Sequence, residues 1–263
     1  MLQEVMKRKF ANGTVYLFKT EDGYPIETTD TFLPFYTKDA VGRHQNALTA
    51  DNLGSRAERW MCGVSVMSGC PVRCQFCATA KLKKWRPLTA MEIAQQVLFV
   101  LDKHRNNHKA RYSKEFKINY TRMGEPFLNL ENVKRAISIV TKAMPSTHHY
   151  VSTIGIKGSD FSWIRGNITL QISLHALNNE RRHELIPFPR LMTLEELGQI
   201  RTRSNLKTTL NMTLVNEADF DINVLKTYFD PRYFFIKLSP INQNSVSQAN
   251  QLGAGVIEGK NIV

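Results

Sequence analysis

The sequence predicts an α/β fold, a partial (β/α)6 barrel preceded by a β-hairpin extension, on three observations. Short apolar runs alternate with longer amphipathic ones, the alternation yields six strands, and the stretch before the first of them has a two-residue period instead. Strands separated by helices pair in parallel through right-handed crossovers, with helices covering the outer face. Six units are too few for the closed eight-stranded barrel and fit one open along a side, with a doubly wound open sheet as the structural alternative.

Residues 14–36 read as a hairpin, with alternating aromatic and polar positions turning at Glu21-Asp22-Gly23. Residues 37–58 are polar and irregular enough for a connector. "WMCGVSVM" (60–67) is a buried strand that delivers the chain into a cysteine loop, and Thr89 with Glu92 opens a capped helix, "AMEIAQQVLFVLDKH". The series continues with strand "FKINYT" and helix "LENVKRAISIVTKAM", then strand "HHYVSTI" and a short helix near residue 160. Strand "ITLQISL" leads to helix "TLEELGQIRTR", capped by Thr193 and Glu196, and strand "TTLNMTLV" to helix "FDINVLKTYF" before a last strand, "YFFIKLSP". The expected organisation is an extension and connector over 1–58, the partial barrel over 59–242 and a tail over 243–263.

The 263 residues, 42% hydrophobic, suffice for a large core, and no apolar run approaches the roughly 18 residues of a membrane span. A cytoplasmic, membrane-free protein is expected, in whose reducing surroundings clustered thiols serve metal binding or reaction chemistry. Lys and Arg number 35 against 23 acids, a net +12 that attracts polyanions, RNA first. The basic residues concentrate in "KLKKWRP" (81–87), "KHRNNHKARYSK" (103–114) and "NNERRHEL" (178–185), with Trp85 and Tyr112 available for stacking on bases.

"GCPVRCQFCATA" places Cys70, Cys74 and Cys77 within eight positions, with the fourth cysteine, Cys62, outside the spacing. Structural zinc takes four ligands and an iron–sulfur cube normally four thiolates, so three thiolates leave one metal position open for a substrate or cosubstrate. A zinc site requires a histidine such as His44 or His175 to complete the set. Parallel α/β sheets bind ligands beyond the carboxyl ends of their strands, and the cysteine loop follows the first of them.

The CxxxCxxC spacing with Phe76 directly before the third cysteine resembles the signature of radical S-adenosylmethionine (radical SAM) enzymes. "MGEP" (123–126), "VSTIG" (151–155), "SLHA" (173–176), "SPIN" (239–242) and "VYLFKTEDG" narrow the resemblance to the RlmN/Cfr class of RNA adenosine methyltransferases, over residues 14 to about 242. The resemblance implies a TIM-like partial barrel of radical SAM type and a [4Fe–4S] cluster on Cys70, Cys74 and Cys77. It also implies S-adenosylmethionine on the fourth iron, a 5′-deoxyadenosyl radical, and an electron donor such as flavodoxin or ferredoxin.

The matched residues suit cofactor binding. Glu125 can accept from the SAM ammonium, with Gly124 allowing close backbone approach. Ser152 suits a ribose hydroxyl or the methionine carboxylate, Ser173 and His175 lie on one side of their strand, and Asn242 offers a donor and an acceptor.

The resemblance has departures. Members of the class methylate a C-terminal cysteine and resolve the RNA adduct with a second cysteine before the cluster loop. This chain has no cysteine after Cys77, and Gly63 rather than Cys62 aligns with the resolving position. Arg122 stands where the class has glycine, Ile154 where it has a small polar residue, and the N-terminal helical accessory domain is expected to be missing. The leading expectation is a radical SAM enzyme abstracting hydrogen from RNA or a nucleotide-like substrate. The alternatives are RNA adenosine C2/C8 methylation, with Cys62 as candidate catalytic thiol or a partner carrying the methyl, and a non-catalytic RNA-binding protein with a structural iron–sulfur or zinc site.

Overall fold

A computed structural model describes residues 2–35, 37–38, 44–45, 49–106, 110–214, 217–253, 256–257 and 260–261. Parts of the expected connector and tail, and the His44 side chain, lie outside the described residues. The chain divides into two compact units, Met1–Ser68 with Arg86–Tyr150, and Gly69–Trp85 with Val151–Val263. Among the described residues no helix is long and apolar enough to cross a membrane.

The first unit contains strands β1 (Gln3–Phe10), β2 (Gly13–Lys19), β3 (Pro25–Leu33), β4 (Arg59–Val64) and β5 (Glu115–Tyr120), helices α1 (Ala90–Lys103) and α2 (Leu130–Ala143), and the first half of β6 (His148–Thr153). Its strands lie in the order β1-β2-β3-β4-β5-β6. The expected hairpin is β2–β3, whose turn uses Gly23 at φ 84° and a Thr20 hydroxyl donated 2.6 Å to Asp22. β1 adds a third antiparallel strand that the sequence pattern missed, because nearly all its residues are exposed and no burial period marks it.

β4 and β5 pair in parallel, Arg59 opposite Glu115 through Val64 opposite Tyr120. Trp60, Cys62 and Val64 share one buried face with Phe116, Ile118 and Tyr120, whereas Met61, Lys117 and Asn119 point to a half-exposed one. α1 begins at the expected Thr89/Glu92 capping box, worth about 1 kcal/mol. α2 buries Val133, Ala136, Ile137 and Val140 at helical spacing and packs beside α1.

The second unit contains the rest of β6, β7 (Ile168–Ser173), α3 (Asn179–Leu185), α4 (Leu194–Gly198), β8 (Thr208–Leu214), α5 (Ile222–Tyr228), β9 (Phe234–Pro240) and α6 (Ser245–Ala249). Its strand order is β6-β7-β8-β9, with β7–β8 and β8–β9 parallel. Two helical expectations are corrected here. No helix forms near residue 160, where Gly155 and Gly158 adopt φ of 81° and 80° and Asp160 accepts from the Ser162 amide in a side-chain turn. α4 starts at the Thr193/Glu196 box but stops at Gly198, where a Cβ would sit 2.3 Å from the Tyr228 carbonyl oxygen and Arg201 turns back onto the carbonyls of Gly198 and Ile200.

Candidate functional site

In the second unit the cysteine loop closes on itself at its base. Gly69 has φ 69°, and a Cβ there would meet the Lys84 carbonyl oxygen at 2.6 Å, so only glycine fits. Arg73 reverses the chain between the first two cysteines at φ 58°, and the Cys77 amide donates to the Cys74 carbonyl at 3.1 Å. The loop is then tied down from two sides. The Gln75 amide donates 2.9 Å to the Leu185 carbonyl at the end of α3, while Asn244 Nδ2 reaches the Phe76 carbonyl at 2.9 Å and Asn250 Nδ2 the Gln75 carbonyl at 2.7 Å. Asn244 also caps α6, so that helix is bolted to the loop through one side chain.

Cys70, Cys74 and Cys77 are each half-buried, and none of the four cysteines is in a disulfide. Among the described residues no three Cys, His, Asp or Glu side chains gather about one point as a single ion would require. As a donor set, three thiolates are one short of the four ligands of structural zinc and leave one iron of a four-iron cluster without a protein ligand.

His175 follows β7 at φ 61°, only 6% exposed, and its ring meets Phe76 edge-on at 4.6 Å. Its Nδ1 accepts from the Thr213 amide at 3.1 Å, which assigns the ring proton to Nε2. Burial, reinforced by the nearby Arg182 charge, lowers its pKa to about 3, so at neutral pH His175 is an uncharged Nε2–H donor. Arg182, fully buried on α3, donates to the carbonyls of Leu174 at 3.0 Å, Met192 at 2.6 Å and Ile154 at 3.0 Å. Those carbonyls lie just past the ends of β6 and β7 and before α4, so one guanidinium fixes three connections around His175. Sequence reading noted Arg182 only in a basic run and missed Asn244, although Asn244 with Ser247 three residues on is a capping-box spacing. Ser152 donates 2.8 Å to Gln171, Ser173 is half-buried at the end of β7, and Asn242 is exposed past β9.

In the first unit Gly124 adopts φ 98°, where a Cβ would lie 2.5 Å from Met67. The Met123 carbonyl accepts from the Val66 and Met67 amides, which fixes the "GEP" turn, and the 4% exposed Glu125 caps the next turn through the Phe127 amide at 3.0 Å. Gly63 is pinned as well. A Cβ there would lie 2.4 Å from Thr29 Oγ1 and 3.1 Å from Arg122 Cδ, and Arg122 pairs with Glu27.

Cys62, the candidate catalytic thiol, lies in a closed environment. The side chain is fully buried on the face that carries Asp30, its partner in the β3–β4 register, and burial and that carboxylate both push the thiol pKa up. Asp30 itself is a hub, accepting from Arg56 at 2.7 and 3.2 Å and from Trp60 Nε1 at 2.7 Å, with His104 Nε2 at 2.7 Å. Cys62 therefore belongs to a packed polar core, where a thiol is neither ionised nor reachable.

No protein-family profile matches the chain. Its sequence is 36% identical over 208 residues to a probable dual-specificity RNA methyltransferase RlmN of Koribacter versatilis, covering 77% of this chain and 57% of that one. It is 31% identical over 242 residues to the like-named protein of Pseudothermotoga lettingae, covering 87% and 62%. A radical SAM methyltransferase from Sphaerobacter thermophilus superposes with a TM-score of 0.68 over 98% of this chain and 71% of that one, at 23% identity. In sequence the chain is RlmN-like, and in fold it is like a radical SAM methyltransferase. Its fold class is the α/β partial barrel of radical SAM type with an N-terminal β-hairpin extension. The cofactors that accompany an RlmN-like chain are a [4Fe–4S] cluster and S-adenosylmethionine, and the three anchored thiols suit the first. This RlmN-like chain spans about three fifths of the length of these two curated relatives.

Proposed function

We infer that this chain is a cytoplasmic radical SAM enzyme acting on RNA or a nucleotide-like substrate, with Cys70, Cys74 and Cys77 as the cluster ligands. The observation that carries the reading is the loop that presents three half-buried thiols and is anchored through Gln75, Phe76 and Asn244. When bound, the cluster supplies the electron that cleaves S-adenosylmethionine to methionine and a 5′-deoxyadenosyl radical.

The protein's own residues hold and orient. Phe76 and His175 support one another as an aromatic wall, and the neutral imidazole offers Nε2–H to a ligand acceptor without adding charge. Ser173 and Asn242, at strand ends, and Ser152, already oriented by Gln171, are assigned to the cofactor's polar groups. The electron comes from an external donor such as flavodoxin or ferredoxin.

The names of the relatives favour a second reading, RNA adenosine methylation. Cys62, the thiol proposed for that route, is buried here, and Arg122 fills the space beside Gly63. We therefore place hydrogen abstraction first. The test is anaerobic reconstitution with iron and sulfide, then S-adenosylmethionine, dithionite and undermodified RNA, with both nucleoside products quantified. 5′-Deoxyadenosine without S-adenosylhomocysteine is expected; the two together with methyladenosine in the RNA would establish the second reading, and neither product would refute both.

A further inference from the structure

The second unit has a polar pocket at the other end of its strands from the cysteine loop. It measures about 210 Å³ and is lined by Ser204, Asn205, Lys207, Thr208, Arg232 and Tyr233 among others. Thr208 opens β8 and Tyr233 immediately precedes β9, whereas His175 and Asn242 follow the carboxyl ends of β7 and β9. Both β8 and β9 run seven residues, so the pocket and the proposed cofactor residues are separated by roughly 20 Å of strand.

The pocket is built rather than incidental. Its rim is fastened to the preceding connection: the Arg203 amide donates to Ile164 and the Asn205 amide to Gly166, each at 2.9 Å, and Asn205 Nδ2 reaches Asn167. Ser204 Oγ accepts from the Leu206 amide at 3.1 Å, and Lys207, the next residue, is exposed and lines the pocket. Lys207 Nζ donates 2.6 Å to the Pro231 carbonyl, using one of its three N–H groups and neutralising none of its charge.

The charge is one-sided. Segments 200–208 and 230–233 carry Arg201, Arg203, Lys207 and Arg232 against Asp230 alone, and that carboxylate is taken by Arg232 at 2.6 and 2.8 Å. Arg201 stands over the Tyr233 ring, 4.2 Å from its centroid, donates 2.8 Å to each of two carbonyls and shares the field of Asp230 with Arg232, so one carboxylate faces four cations. Tyr233 nonetheless stays 42% exposed, giving a guanidinium and phenol platform beside a donor-rich pocket. Cations, hydroxyl and amide donors and an exposed π surface together match a phosphodiester with an unstacked base.

We propose that this pocket is a second RNA-contact site, in which Lys207 and Arg232 take a backbone phosphate while a neighbouring base stacks on the Arg201–Tyr233 platform. It rests on the proposed action on RNA for its biological sense, but it engages a different stretch of the strand from the one at the cofactor end. A free nucleotide and an acidic peptide share parts of this chemistry, so they enter the test as competitors.

The test uses the full chain and a fluorescein-labelled, unstructured 12-residue RNA, read by anisotropy over a salt series. Lys207→Ala should weaken binding roughly fivefold and reduce the slope of log affinity against log salt by about 0.7. Tyr233→Ala should weaken it about as much with the slope unchanged, and Tyr233→Phe should restore it. Lys207 and Tyr233 are surface residues, so circular dichroism of each variant should match the parent. Unchanged affinity and slope in Lys207→Ala and Tyr233→Ala would overturn the proposal. Displacement of the RNA by AMP or by poly-glutamate at concentrations equal to the RNA's own Kd would overturn the assignment to RNA. Formation of 5′-deoxyadenosine without RNA, measured in the same preparations, should be equal in parent and variants. Its absence from the parent would refute the radical SAM activity while leaving the RNA-contact result standing.

Discussion

Cys74 and Cys62 are the same side chain twelve residues apart, and the molecule gives them opposite chemistry. The first sits half-buried, outside any disulfide, on a loop held by hydrogen bonds to its backbone carbonyls and amides. The second is sealed in a strand face beside a carboxylate, with burial and charge both opposing ionisation. Thiol function here is thus decided by what surrounds the sulfur, and proximity in sequence is a poor guide to it.

The sharpest break of that contrast is chemical. Iodoacetamide applied to the metal-free protein should modify Cys70, Cys74 and Cys77 at least about a hundredfold faster than Cys62, as counted by peptide mass spectrometry. Comparable rates would erase the distinction. Next comes the frame around His175: Arg182→Leu leaves three buried carbonyls without their donor and should cost about 3–5 kcal/mol in urea unfolding, with reduced iron uptake on reconstitution.

On the Cys62 side, the buried His149 lies between Tyr120 and Thr141, at 3.0 Å from each, and burial lowers its pKa to about 4. Below the usual histidine range the unfolded chain binds a proton that the folded chain refuses, so this contribution is complete above about pH 6.5 and is lost as pH falls towards 4. Going from pH 7 to pH 5 should cost about 2 kcal/mol, and His149→Gln should flatten that dependence in thermal melts. Smallest is Gly63→Ala, expected to cost about 1–2 kcal/mol and less in an Arg122→Gly background, which a double-mutant cycle would measure. Additive effects there would mean that Arg122 does not seal the position.

Most of the frame was readable from the amino-acid order. β5 through β9 fall within a residue of their expected bounds because each is a run of β-branched and aromatic residues closed by a turn or cap, whereas β4 ends three residues early, at Val64. β1 escaped because an exposed strand has no burial period, and α3 because "NNERRHEL" reads as a charge run until Arg182 finds its three carbonyls. The cysteine loop was legible through its spacing, which is local. The anchors Asn244 and Asn250 act on residues 168 and 175 positions away, a relation that no local pattern encodes.

The most direct test of the account compares 5′-deoxyadenosine formation by reconstituted Cys62→Ala and Cys74→Ala proteins under identical reducing conditions. Cys62→Ala should stay within about twofold of the parent, and Cys74→Ala should fall below about one hundredth of it with loss of iron. Retained cleavage in Cys74→Ala, or its loss in Cys62→Ala with iron content intact, would contradict the division of roles between the two thiol environments.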